Sequence, residues 1–244
     1  MHITSATSNL SVPLSEADYK LSNENLLHEI RSISSAVAIS IPLFSPLSNK
    51  YNAYCKRIFD IMLSIILIVL LLSWILPLLA ILIMIDSKGP VFFLQKRIKS
   101  RGQQFKCLKF RTMIVNKEAD ILSSYENDSR ITKPGRLLRR FHIDELPQLF
   151  NVLLGDMSIV GPRPHMVTEN SRFDNLIANY SRRHQIKPGI TGMAQSSGNF
   201  GASEQMEKIT ARLDLDLLYI RDWSLGMDIK ILLRTVRLIF GIVK

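Results

Sequence analysis

The sequence predicts an α+β fold, mostly α with one small β-hairpin: a re-entrant membrane helix on a compact cytoplasmic domain with amphipathic interfacial helices. Three observations predict it. Residues 61–85 run for 25 positions without a charge, bounded by Asp60 and Asp86. Basic residues flank that run on both sides. Beyond it come two short β-like runs, and then segments with helical rather than strand periodicity.

Residues 1–50 read as a mobile polar arm. They are Ser-rich, contain Pro13, Pro42 and Pro46, and carry Lys20, Arg31 and Lys50 against Glu16, Asp18, Glu24 and Glu29, a net of −1. No basic start leads into an apolar run and a small-residue cleavage site, so no secretory signal peptide is expected. The stretch from Ile33 to Phe44 is broken by serines and too short to cross a bilayer.

Residues 51–88 hold the membrane helix. Its uncharged run would reach ~37 Å at ~1.5 Å per residue, enough for a hydrocarbon core of ~30 Å. Lys50, Lys56 and Arg57 precede it, and Lys88, Lys96, Arg97, Lys99 and Arg101 follow. Positive charge marks the cytoplasmic side, so a straight span would put one basic flank on the wrong face. Pro77 inside the run removes a backbone hydrogen bond and kinks a helix. The joint solution is a helix that enters, bends near Pro77 and returns. Carbonyls freed near Leu72 and Ser73 would be capped by the Ser73 hydroxyl. A kinked single span is the alternative.

Residues 89–244 form the cytoplasmic domain. Val91–Arg97 and Gln104–Arg111 read as strands of a hairpin, and Lys106, Lys109 and Arg111 are expected along one basic face that meets lipid phosphate. Helices are expected over 114–125, over Arg136–Arg140 after a Pro134–Gly135 breaker, and over Glu145–Leu153. Lys230, Arg234, Arg237, Gly241 and Lys244 make one stripe of a final helix that is apolar elsewhere. Such a helix suits either an anionic bilayer surface or the domain core.

Composition removes several function classes. The 244 residues carry 31 basic against 21 acidic side chains, a net of +10, so the part outside the arm holds +11. That charge would suit a nucleic-acid binder, but 47% hydrophobic residues and one long uncharged run do not. The same apolar content excludes disorder of the whole chain. Cys55 and Cys107 form neither a CxxC pair nor a zinc spacing, which excludes a disulfide scaffold.

Candidate chemistry lies between Asp128 and Pro164. Arg130, Lys133, Arg136, Arg139 and Arg140 fall within eleven residues, followed by Asp144–Glu145. Asp144 is expected to cap a helix with Pro147 in its first turn, and a helix start beside five cations suits phosphate. Of the adjacent acids, one carboxylate can bind Mg²⁺ against a diphosphate while the other attacks phosphorus. His28, His165 and His184 lack ligand partners at useful spacing and read as surface or helix residues. Asp156 reads as a turn or cap residue, and Tyr219 and Trp223 as interface anchors or core.

From Lys56 onward, about four-fifths of the chain resembles the bacterial sugar transferases, monotopic polyprenyl-phosphate phosphoglycosyl transferases. The resemblance rests on Lys56–Asp60 (KRIFD), Gly89–Phe93 (GPVFF), Phe105–Met113 (FKCLKFRTM), Arg130-Ile131-Thr132 and Leu138-Arg139. Its longest block is Asp144–Pro164 (DELPQLFNVLLGDMSIVGPRP), followed by Lys187–Gly192 (KPGITG) and Asp216–Ile220 (DLLYI). The resemblance implies a ping-pong reaction on the inner face of the bacterial cytoplasmic membrane. Asp144 would attack the β-phosphorus of a UDP-hexose, with glucose the first expectation and galactose the second. UMP would leave, and undecaprenyl phosphate would collect the hexose-1-phosphate from the aspartyl intermediate. Glu145 would bind Mg²⁺. Arg139, Arg136, Arg130 and Lys187 are the phosphate-binding candidates, and Pro162, Arg163 and Pro164 match the family's nucleotide loop. The family's re-entrant helix agrees with Pro77 as the kink. This chain departs from it in having Leu76 before Pro77, with Ser73 four residues earlier, and His142 where Ser is frequent. Expected partners are the UDP-hexose, undecaprenyl phosphate and anionic lipids, without nucleic acid. An inactive membrane-bound assembly or regulatory factor is the reading from another class.

Overall fold

The computed structural model describes residues 44–115, 128–198 and 205–241. The arm up to residue 43, most of the helix expected over 114–125, His28 and Lys244 lie outside the described residues. At Ile114 that helix does not begin: Met113 bridges Ile131, and the Ile114 N–H donates to Arg130 O at 2.9 Å.

Among the described residues one 37-residue helix, Lys50–Asp86, is long and apolar enough to cross a membrane. Asn49 caps its start by accepting the Tyr51 N–H at 2.8 Å. It consists of α1 (Lys50–Leu67), a π-turn (Ile68–Leu72) and α2 (Ser73–Asp86), which contains Pro77. The π-turn changes the expected capping. The Ser73 N–H reaches back to Ile68 O, which leaves Val69 O free to accept the Ser73 hydroxyl at 2.6 Å. The hydroxyl therefore serves Val69 rather than the carbonyls of Leu72 and Ser73.

Both ends of this helix are tied to the rest of the described body. Lys56, Asp60 and Ser64, four residues apart, share one buried face of α1. Lys56 Nζ pairs with Asp228 at 2.7 Å, and Asp60 accepts the Ser158 hydroxyl (2.8 Å) and the Ile159 N–H (3.1 Å). Next to them, Arg57 donates to Val152 O and Leu153 O at 2.6 and 2.8 Å. At the far end, buried Arg111 donates to the carbonyls of Lys88 (2.6 Å), Ser87 (2.6 Å) and Ile83 (3.2 Å). A cation there also complements the negative end of the helix dipole.

The hairpin forms as expected, β1 (Phe92–Ile98) against β2 (Gln104–Phe110), with Phe92 opposite Phe110 and Lys96 opposite Lys106. Side chains alternate across a strand, so Lys106 and Lys109 point to opposite faces. Arg111 lies past the strand and caps α2. The single basic face expected from these three residues is therefore not formed.

Helix α3 (Lys133–Arg140) begins earlier than expected. Thr132 caps it by accepting the Gly135 N–H at 3.1 Å, and Pro134 sits in the first turn, where its missing N–H costs nothing. Pro134–Gly135 starts this helix and does not break it. Asp144 is likewise not a helix cap. It lies within a 3₁₀ turn, Ile143–Glu145, and α4 runs from Gln148 to Leu154 with Pro147 at its N-cap.

A second pairing has no strong sequence signal. Strands β3 (Ser158–Val160) and β4 (Gly189–Thr191) pair in parallel over three residues each. The connection approaches so closely that a Cβ on Gly161 would lie 2.5 Å from Lys187 O, and one on Gly189 2.1 Å from Gly161 N. Only glycine fits at either position. Between these strands lie α5 (Val167–Leu176) and a 3₁₀ turn, Tyr180–Gln185.

After α6 (Met193–Ser196), helices α7 (Met206–Asp222) and α8 (Leu225–Ile239) close the body. Tyr219 and Trp223 are core residues, and both bond Asp228, at 2.7 and 3.2 Å. Helix α8 has a buried side and an exposed side. Asp228 and Ile231 are buried, while Ile229, Leu233, Val236 and Phe240 form an exposed apolar stripe beside Lys230, Arg234 and Arg237.

Removing one partner of a buried ion pair strands the other charge. Lys56→Met is expected to destabilise the protein by about 3–5 kcal/mol in detergent unfolding titrations. Adding Asp228→Asn should recover part of that loss, because the two groups share one interaction.

Candidate active site

The acidic pair is placed by a sharp bend after α3. His142 has φ 55° and ψ 20°, a left-handed conformation uncommon for a residue with a side chain. The bend feeds the 3₁₀ turn, closed by Glu145 N–H to His142 O at 3.2 Å. Ile143, Leu146 and Phe150 pack against a cluster of Leu72, Ile83, Phe110 and Leu138. Apolar contacts on both sides thus fix the two carboxylates between them.

Glu145 sits between two cations. Lys109 from β2 and Arg163 from the loop after β3 both reach its Oε1 at 2.7 Å, and Arg163 also reaches Oε2 at 3.2 Å. Burial alone would raise its pKa, but Arg163 and Lys109 together outweigh burial and hold the carboxyl well below the usual range. Asp144 differs in kind. It is buried, and no hydrogen bond from a described residue reaches its carboxylate. Burial pushes its pKa up, with Lys109 and Arg139 opposing and Glu145 reinforcing.

Arg139 is held through its Nε, which donates to Thr112 Oγ1 at 2.8 Å. Its two terminal nitrogens make no hydrogen bond to a described residue and are available to an anion. Lys109, Arg139 and Arg163 outnumber the two carboxylates by one charge, an excess that suits a phosphate-bearing ligand.

Other candidates lie elsewhere. Arg130 forks onto Asp128, with Nη2 at 2.7 Å and Nε at 3.0 Å. Arg136 is exposed on α3. Lys187 interacts with Arg57, Asp60 and Asp156 and borders Gly155, at the opposite end of α4 from the acidic pair. Asp156 pairs with Lys99 at 2.6 Å. Pro162 and Pro164 act through their carbonyls, which accept from Gly189 N–H (3.0 Å) and from Arg97. The expectation for His165 is corrected: it stacks on Tyr180 and bonds Tyr180 Oη and Arg183 in a buried network. The pairing of Lys109 with Glu145 is hidden in FKCLKFRTM, where three basic residues look alike until strand parity separates Lys106 and the end of β2 separates Arg111.

The donor set bears on magnesium. Among the described residues no group of three or more His, Cys, Asp or Glu could hold a metal ion. Mg²⁺ usually keeps several waters and takes one or two carboxylates plus substrate phosphates, so an adjacent pair fits an ion shared with a diphosphate.

Residues 51–241 match the family model described as bacterial sugar transferase. The chain belongs to this family. Among its relatives, a UDP-glucose:undecaprenyl-phosphate glucose-1-phosphate transferase of Klebsiella pneumoniae is 47% identical over 197 residues, covering 80% of the chain and 42% of the relative. An enzyme of the same description from Caulobacter vibrioides is 39% identical over 228 residues, covering 93% and 84%. A UDP-N-acetylgalactosamine-undecaprenyl-phosphate N-acetylgalactosaminephosphotransferase of Aeromonas hydrophila is 39% identical over 198 residues, covering 81% and 46%. The chain therefore spans less than half the length of the Klebsiella and Aeromonas relatives.

Two histidines carry a pH prediction for the protein. Burial, aided by Arg183, holds His165 well below 6.5, and burial pushes His184 down to about 4. Each binds fewer protons folded than unfolded, so stability is full above the unfolded value and falls as pH drops below it. Between pH 6.5 and 5 each should cost up to about 1.4 kcal/mol per pH unit. Denaturant titrations across that range should show a slope that His165→Gln roughly halves.

Proposed function

We propose that the protein transfers hexose-1-phosphate from a UDP-hexose to undecaprenyl phosphate at the cytoplasmic face of the bacterial inner membrane, as the first membrane step of exopolysaccharide or glycan assembly. The contrast within the acidic pair carries this reading. Glu145 is locked by two cations, whereas Asp144 is buried without a hydrogen bond from any described residue, and the positive charge of Arg139 acts on it. A carboxylate stripped of donors is a better nucleophile than one that shares its charge with Lys and Arg.

In the proposed first step an Asp144 carboxylate oxygen attacks the sugar-bearing phosphorus, and the bond to the UMP oxygen breaks. Arg139 and Arg163 hold the phosphate oxygens while charge moves toward UMP. In the second step the lipid phosphate oxygen attacks the same phosphorus, releasing the Asp144 carboxylate and forming the lipid diphosphate sugar. Glu145, with oxygens of the substrate diphosphate, would hold Mg²⁺, which supplies charge neutralisation there. Glucose is the preferred hexose on the description of the Klebsiella and Caulobacter relatives, with galactose second.

The membrane arrangement belongs to the same proposal. Re-entry is supported by the ties at both ends of Lys50–Asp86 to one body. The exposed stripe of α8, apolar beside Lys230, Arg234 and Arg237, suits anionic lipid at the surface. Residues 1–50, 51–88 and 89–244 are proposed as arm, membrane helix and catalytic domain.

Two experiments test this reading. A panel of UDP-sugars with undecaprenyl phosphate and Mg²⁺ should release UMP with UDP-glucose, and Asp144→Asn should abolish both UMP release and the covalent phosphosugar adduct. No UMP from any sugar with well-folded protein would instead indicate an inactive assembly factor. Separately, single cysteines at Asn52 and Lys88 in a thiol-free background should both label from the cytoplasm. Labelling of either from the periplasm would mean a span.

A further inference from the structure

The loop that carries Arg163 is held residue by residue. Asp60 takes the Ser158 hydroxyl and the Ile159 N–H, and Tyr219 Oη lies 3.1 Å from Val160 O. The Gly161 N–H donates to Thr191 O at 2.9 Å, and Pro162 O accepts from Gly189. The next two carbonyls are each met by an arginine. Arg183 Nη2 donates to Arg163 O at 2.8 Å, and Arg97 Nη1 donates to Pro164 O. Among these side chains, that of Arg163 is the one that reaches the acidic pair.

Both arginines are themselves fixed from behind. Arg183 is buried, with Nε and Nη2 on Asp216 Oδ2 at 3.1 and 2.7 Å, and Nη1 on Tyr180 Oη at 2.7 Å. Arg97 places Nε and Nη2 on Gln95 Oε1 at 3.0 and 2.7 Å, and Gln95 is buried. A carbonyl at a loop edge can be satisfied by water. Burying a guanidinium beside one is costly, so its use here requires another return than hydrogen-bond satisfaction alone. That return is geometry: ligand-gripping groups must be held within a fraction of an ångström, and supporting residues provide this.

We propose that Arg183, held by Asp216, and Arg97 are positioning residues that fix the Pro162–Pro164 loop so that the Arg163 guanidinium stays on Glu145 and on the oxygens of a nucleotide diphosphate. This rests on the proposed transferase reading for its ligand, but the coupling itself needs no turnover. It gives Asp216 of the DLLYI stretch a task two side chains removed from the substrate.

A double-mutant cycle on the full chain tests the inference. With UDP-glucose, undecaprenyl phosphate and Mg²⁺, Asp216→Asn should lower kcat/KM for UMP release by about 10–100-fold. Added to Arg163→Ala, it should cost less than about twofold more, because its effect runs through Arg163. Full additivity of the two losses, or an Asp216→Asn protein of lowered melting temperature and unchanged kcat/KM, would overturn the proposal. Arg183→Lys keeps the charge on Asp216 but lacks the fork that reaches Arg163 O; it carries the same cycle if Asp216→Asn does not fold. The cycle read on melting temperatures keeps the inference separate from the transferase reading. Wild-type protein that releases no UMP defeats the reading alone, while non-additive melting shifts between Asp216→Asn and Arg163→Ala still support the coupling. Additive shifts in that case would defeat it.

Discussion

A carboxylate at the root of the apolar helix, Asp60, accepts hydrogen bonds from Ser158 and Ile159, and through Lys56 it meets Asp228, Tyr219 and Trp223. Three separated parts of the sequence are joined there. The helix supplies Lys56 and Asp60, the strand that leads to Arg163 supplies Ser158, and α7 and α8 supply Tyr219 and Asp228. In a low-dielectric interior such groups are tolerated only when each has its partners, so the knot admits one arrangement of the three. The loop beyond β3 then starts from a fixed point, and Arg163 reaches Glu145 because Ser158 is already in place.

The acidic pair reflects what surroundings do to identical chemistry. Asp144 and Glu145 are neighbours in sequence and both are buried, yet their charged forms are treated oppositely. Lys109 and Arg163 secure the ionised form of Glu145, while Asp144 has counter-charges but no hydrogen bond from a described residue. Two carboxylates set apart in this way can take different tasks within one proposed reaction.

Much of this was legible in the sequence, and the exceptions have identifiable causes. The uncharged run, the hairpin and the Asp144–Glu145 pair are local features, readable from composition and period. Asp144 as a helix cap failed because the cap rule assumes a regular first turn, and the left-handed His142 starts a 3₁₀ turn instead. The shared face of Lys106, Lys109 and Arg111 failed on strand parity, since an offset of three residues reverses the side. The β3–β4 pair was missed because two three-residue strands give no alternation to detect. The joint role of Arg183, Asp216 and Arg97 has no local signal, because it depends on contacts across 20 to 67 residues, which no window on the sequence contains.

The π-turn at Ile68–Leu72 has a consequence for how the apolar helix carries information. Each residue of an α-helix turns the next by about 100°, so the extra residue in that turn re-phases α2 against α1. The polar face of Lys56, Asp60 and Ser64 and the apolar contacts of Leu72 and Ile83 thereby meet the same body, although their spacing in an unbroken helix would send them to different sides. Many runs of 25 apolar residues would partition into lipid equally well. Hydrophobicity makes this segment apolar enough to cross a membrane, and the phase shift decides how it faces the domain.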